Sequence, residues 1–140
     1  MYPKRRKPIA HKAGVICWNA CQGQILLVRQ VNGRYSIPKG KAKPWEHLRQ
    51  TAIRELWEET GIYTQNLHGP TWGKNTKPGV RIYLYWTIVE TATAKSQLPL
   101  AHDISKTVWV EPDEALRRLR NDQKTILKRW FTQQNRNLHK

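Results

Sequence analysis

The chain has 140 residues, enough for one domain with a real core, and 25 Lys and Arg against 10 Asp and Glu give it a formal net charge of +15. No apolar run approaches the roughly 18 residues needed to span a bilayer, and no apolar segment follows the basic N-terminus. A soluble, unsecreted, cytoplasmic protein is expected, with a nuclear location open through the basic patch Lys4-Arg5-Arg6-Lys7. In chain order, a basic arm over residues 1–12 precedes a single domain over residues 13–140. Ala13 to Trp18 and Gln24 to Arg29 are apolar, β-branched runs around the turn-like Asn19-Ala20-Cys21-Gln22-Gly23, a hairpin pattern. Cys17 and Cys21 fall here without the paired His or Cys of a zinc site, so two free thiols are predicted. A second turn at Val31-Asn32-Gly33-Arg34 leads through Tyr35-Ser36-Ile37 into the loop Pro38-Lys39-Gly40-Lys41. A first helix starts near Trp45 to Leu48 and stops at Gly61, with Leu48, Ala52, Ile53 and Leu56 as its apolar stripe. Val80 to Val89 reads as a long strand, Thr107 to Val110 as a short one and Pro112 to Leu119 as a short helix. Asn121 to Gln134 closes the chain as a helix whose apolar face is Ile126, Leu127, Trp130 and Phe131.

Within the first helix, Glu55, Glu58 and Glu59 occupy three of five consecutive positions. Neighbours three and four apart share a helical face, so the three carboxylates project into one arc. Most acidic runs are solvated helix faces. Three like charges held together on a basic protein instead call for a cation, and hard divalent ions take oxygen ligands, with Mg2+ completing its shell with water and substrate phosphate.

The spacing around the cluster narrows the choice. From Gly40, five residues lead to Glu46 and seven more to Arg54, followed by Glu55, Leu56, Glu58, Glu59, Gly61 and Ile62. This resembles the Nudix box, G-x5-E-x7-R-E-U-x-E-E-x-G-U with U aliphatic, at all nine constrained positions over 23 residues. The resemblance implies an α/β/α sandwich with a mixed β-sheet between helices. It also implies hydrolysis of a diphosphate linkage with Mg2+ or Mn2+. In such a site the Gly40 carbonyl, Glu55, Glu58 and Glu59 would hold metal, with one glutamate also orienting or deprotonating water. Glu46 and Arg54 would form the structural pair joining loop and helix. Family members often recruit an acid from outside the box, and Asp103, in the loop before Thr107, is the candidate, with His102 as its rival. A loop aspartate is as often a turn residue or cap.

Candidate substrate contacts follow from charge and stacking. Arg29, Lys39 and Lys41 flank the glycine loop, and Lys74, Lys77 and Arg81 offer further anion contacts. Trp72, Tyr83 and Tyr85 offer flat groups for a base, although two tyrosines on one strand face suit a core equally well. Trp18, Trp86, Trp109 and Trp130 are assigned to packing. Residues 1–12 carry five basic groups and no acid, +5, and residues 115–140 carry eight against Asp122, +7, which leaves +3 for the body. Basic ends around an acidic site suit a polyanion, unless they serve only as solvated segments. Ile37-Pro38-Lys39-Gly40-Lys41 is similar to the loop of messenger-RNA decapping enzymes, which makes the 5′ cap of an mRNA the leading substrate, with Lys124, Lys128 and Arg129 as an RNA track. Diadenosine tetraphosphate and other dinucleoside polyphosphates, or a diphosphoinositol polyphosphate, are the alternatives. A non-catalytic RNA-binding module on the same scaffold is the alternative of another class.

Overall fold

The structure, a computed structural model, describes residues 10–72, 79–90, 101 and 103–138. The elements run β1 (Ala10–Asn19), β2 (Gln24–Gln30), β3 (Tyr35–Ser36), β4 (Lys39–Lys41), α1 (Leu48–Thr60), β5 (His68–Trp72), β6 (Val80–Val89), β7 (Ile104–Val110), α2 (Pro112–Arg118) and α3 (Asn121–Leu138). Among the described residues no helix is long and apolar enough to cross a membrane.

β1 organises the sheet because both its edges are used. One edge pairs in parallel with β6 over its whole length, from Ala10 with Val80 to Asn19 with Val89. The other is divided: residues 12–14 pair with β4, and only Trp18 and Asn19 pair with β2. β2 then leaves β1 to pair antiparallel with β7 and β3, and β5 extends the sheet beyond β6. The predicted hairpin is therefore closed only at its base. The last strand begins three residues earlier than the sequence suggests, at Ile104, and α3 runs four residues further, to Leu138.

Alternation along β1 sorts the core into two layers. Ala13, Val15 and Cys17 face α1 and pack with Ala52, Leu56, Leu67 and Tyr85. Ile16 faces the other way, into Ile82, Leu84, Ile126, Leu127 and Trp130 below α3. Helices thus cover both faces of a mixed sheet, the expected α/β/α sandwich. Trp130 is buried and meets Trp18 and Trp86 edge-on, with ring centroids 6.0 and 5.9 Å away, so these tryptophans are packing residues as predicted. Trp109 packs against the α1 layer. Both cysteines are free; Cys17 is buried, which pushes its thiol up to about 12, and Cys21 is exposed.

Two joints fix the loop that precedes α1. Gly14 lies against the Pro38–Lys39 backbone so closely that a Cβ there would overlap the Pro38 carbonyl. From the other layer, Gln123 near the start of α3 accepts the Ile37 N–H at 2.8 Å and the Ser36 hydroxyl at 3.3 Å. β4 is held by backbone pairing with β1 and by hydrogen bonds between its main chain and the side chains of Glu59 and Arg54, which three residues reading Lys-Gly-Lys would not announce.

Candidate active site

α1 carries the glutamates, and its ends are set locally. The Gln50 side chain accepts the His47 N–H at 3.1 Å, half of a capping box, and Gly61 closes the last turn at φ 77°, where a side chain would be strained. Arg54 then acts as the hub. Its Nε and Nη2 donate to the two oxygens of Glu46 at 2.7 and 2.9 Å, a bidentate fork, and Nη2 also reaches the Lys41 carbonyl at 3.0 Å. Its Nη1 donates to Glu55 at 2.9 Å and to Glu58 at 3.1 Å. Glu46 accepts further from the Lys43 N–H at 2.9 Å and the Thr51 hydroxyl at 3.1 Å. The Arg54 hydrogen bonds hold the Glu46 carboxyl down at about 2, and Glu46 in turn raises the guanidinium above its usual range. The pair therefore ties the loop to the helix, and Arg54 also hydrogen-bonds two of the three cluster carboxylates.

Glu59 is the buried member, 6% exposed, and accepts the Lys39 N–H at 2.8 Å. Burial, reinforced by the Glu55 charge, pushes its carboxyl up to about 9. Burial also raises Glu55, against the opposing pull of Arg54. Gly40 sits directly over Glu55, and any Cβ there would fall on the Glu55 carboxylate. The loop and the helix are in contact, and only glycine fits between them.

These donors suit a hard divalent ion. A buried carboxylate with one amide partner, a second carboxylate under a glycine and a third half-exposed beside them are oxygen ligands without soft competitors. Among the described residues no three such groups already converge into a cage. Mg2+ does not need one, since it keeps several waters.

A family model for the NUDIX domain matches residues 10–131. The chain belongs to the Nudix family. The phosphatase NudJ of Escherichia coli K12 is 31% identical over 106 residues, covering 73% of this chain and 69% of that protein. Two solved structures share the fold: the MutT protein of Methanosarcina mazei Go1, at TM-score 0.74, 24% identity and coverage of 94% and 99%, and a Caenorhabditis elegans Ap4A hydrolase binary complex, at TM-score 0.73, 19% identity and coverage of 89% and 96%. This chain is a Nudix hydrolase, of a family that acts on phosphoric anhydride bonds and generally uses divalent metal.

The remaining predicted residues of this Nudix domain divide by position. Asp103 lies exposed in the turn before β7, its carbonyl accepting the Val31 N–H at 2.9 Å. Its charge is the smallest of the contributions that raise Glu55 and Glu59. Lys39 adjoins Glu59, and its ammonium is lowered by burial and by Lys12. Arg29 is on β2, opposite Lys106 of β7 and Tyr35 of β3, away from the α1 face. Arg81 pairs with His11 in the β1–β6 ladder. Tyr85 is 7% exposed and packs against α1, so of the two readings of that strand face it belongs to the core, although it also borders the adjacent cleft. Tyr83, half-buried on the same face, keeps its ring 5.8 Å from that of His11. Lys124, Lys128 and Arg129 ride on α3, in the layer opposite the glutamates. Lys4, Arg5, Arg6, Lys7, Lys74, Lys77, His102 and the Trp72 side chain lie outside the described residues.

A cleft of about 880 Å³ opens between the start of β1, the loop after β4 and the first turn of α1. His11, Lys41, Lys43, Glu46, His47, Arg49 and Tyr85 line it. His11 was not foreseen, though it shares its strand face with Ala13 and Val15 by simple alternation. Nothing in the sequence marks Gln123 or Thr51 as supports.

Proposed function

We propose that this protein cleaves a diphosphate linkage in a nucleoside polyphosphate, with a dinucleoside polyphosphate as the leading substrate. The observation that carries this is the cleft beside the Glu46–Arg54 pair. It is wide enough for a nucleoside, has aromatic rings on its floor and basic groups on its rim, and shares Lys41 and Glu46 with the metal loop. His11, on the cleft wall, offers a ring for a base to stack on, with Tyr83 behind it.

In this reading the phosphates lie over Gly40 and the glutamates. A Mg2+ or Mn2+ ion held by Glu55, Glu58, Glu59 and the Gly40 carbonyl would neutralise phosphate charge and acidify a water. Arg54 fixes the directions of Glu55 and Glu58, and the Lys39 N–H fixes Glu59. Glu58, with its side chain 39% exposed, and Asp103 are the carboxylates open enough to take the proton of the attacking water. Lys39 and Lys41 hold the phosphate oxygens left free.

The 5′ cap of mRNA is the second reading, favoured by the sequence Pro38-Lys39-Gly40-Lys41. Against it, the basic residues assigned to an RNA track belong to the helix on the far side of the sheet. The test is one panel with Mg2+ or Mn2+: diadenosine tetraphosphate, cap-labelled RNA and a diphosphoinositol polyphosphate, with products identified by mass. Turnover of the dinucleotide above the others, with KM raised about tenfold by His11→Ala, supports the proposal. Preferred cleavage of RNA or inositol substrate replaces it, and tight RNA binding without turnover of any substrate identifies a binding module.

A further inference from the structure

A second basic cleft, of about 360 Å³, lies where the turn between β2 and β3 meets the junction of α2 and α3. Gly33, Arg34, Tyr35, Arg118 and Arg120 line it. Arg29 reaches its edge, since a Cβ built on Gly33 would stand 3.6 Å from Arg29 Nη2. Four guanidinium groups thus gather around one hollow, and like charges do not gather without a counter-charge. Arg118 has one: it pairs with Glu114 at 2.7 Å, and its guanidinium lies 4.4 Å from the Tyr35 ring centroid, which orients the fork. Among the described residues neither Arg34 nor Arg120 has a carboxylate within salt-bridge distance, and both are exposed. A planar donor fork matches phosphate oxygens pairwise.

The position of this cleft gives it a purpose. Tyr35 stands five residues before Gly40, so at strand rise the two points are at most about 17 Å apart. The segment between them is pinned to α3 by Gln123, through Ile37 and Ser36. One short strand and loop thus joins the arginine cleft, beside Tyr35 in the α3 layer, to the glutamate cluster on the α1 side.

We infer that the Arg34–Arg118–Arg120 cleft is a second phosphate-binding site, which takes a phosphate group lying beyond the hydrolysed diphosphate and so favours substrates with an extended anionic end. The inference rests on the reading of the chain as a polyphosphate hydrolase, but the site binds phosphate whether or not the assigned nucleoside is right. Arg34 and Arg120 supply free donors, and Arg118, held by Glu114 and Tyr35, supplies a fixed one. No bond is made or broken there.

The test is calorimetric titration of the full chain with inorganic tripolyphosphate in EDTA, which removes metal from the glutamates. Wild type is compared with Arg34→Gln/Arg120→Gln and with a charge-matched control, Lys106→Gln/Arg117→Gln, whose side chains are exposed and do not line the cleft. The cleft variant is expected to weaken binding at least about tenfold, the loss of one charge-assisted hydrogen bond or more. The control should stay within about twofold, as diffuse potential alone is worth little at ordinary salt. Equal losses in both variants, or none in the cleft variant, overturn the site. With Mg2+ present, the cleft variant should raise KM for diadenosine tetraphosphate but not for ADP, at unchanged kcat. A parallel rise for both substrates also counts against it. Failure of wild type to turn over either nucleotide would sink the proposed function while leaving the tripolyphosphate result to decide this site.

Discussion

Replacing Glu59 by Gln should stabilise the metal-free protein while abolishing its activity. The residue is 6% exposed and lies beside Glu55, so its carboxyl is pushed up to about 9 from an ordinary 4.5. A carboxyl raised on folding contributes its full stability below about pH 4.5 and loses it as pH rises towards 9. At pH 8 the linkage reaches at most about 5 kcal/mol, and about 2 kcal/mol where the site relaxes towards water. Glutamine removes the ionisation yet keeps an acceptor for the Lys39 N–H. In thermal unfolding with EDTA, Glu59→Gln should melt at least about 6 °C above wild type at pH 8. At pH 5 the difference should shrink to within about 3 °C. Added Mg2+ or Mn2+ should raise the wild-type melting temperature and leave the variant unmoved, with kcat lower by about a hundredfold or more in the variant. A variant less stable than wild type at pH 8, or a difference that ignores pH, would refute the reasoning.

Two further substitutions probe the supports. Glu46→Gln breaks the fork on Arg54 and should cost about 1 to 3 kcal/mol at pH 7 by denaturant unfolding; because the Glu46 carboxyl is held down at about 2, the stabilisation it gives is present above pH 4.5 and fades as pH falls to 2, so wild type and variant should converge in acid. Gly40→Ala places a methyl on the Glu55 carboxylate, so the loop must shift; kcat should fall at least about a hundredfold through mispositioning of the phosphates, and unchanged kinetics would separate Gly40 from the site.

The metal loop was legible because its chemistry fixes spacing: Gly40, Glu46, Arg54 and the three glutamates are bound to one another by side-chain geometry, and that geometry is written as intervals along the chain. α1 was legible for similar local reasons, an apolar stripe and a glycine stop. What escaped depends on partners distant in sequence. β4 reads as charged loop and becomes a strand only because β1 offers it an edge, and β5 contains Gly69 and Pro70, which weaken any strand pattern. The β1–β2 hairpin pairs only beside its turn, because β4 takes the same edge of β1 at residues 12–14 and β3 takes β2 at Val28 and Arg29. Tyr83 and Tyr85 could be placed on a common face from alternation, but whether that face was core or cleft depended on where α1 ends above it. The basic helix was correctly found and its side of the sheet was not, because helix order along the chain does not say which layer a helix joins. The arginine cleft likewise assembles residues from three separate segments.

The central claim is that Glu55, Glu58 and Glu59 hold a divalent ion that supports cleavage of a diphosphate. The most direct measurement is turnover of diadenosine tetraphosphate by wild type and Glu58→Gln across a Mn2+ titration, with metal affinity followed in parallel by calorimetry. The account predicts no turnover in EDTA, recovery of the wild type on adding metal, and a variant slower by about a hundredfold at saturating metal. Turnover that persists in EDTA, or a variant with wild-type rate and affinity, would contradict it.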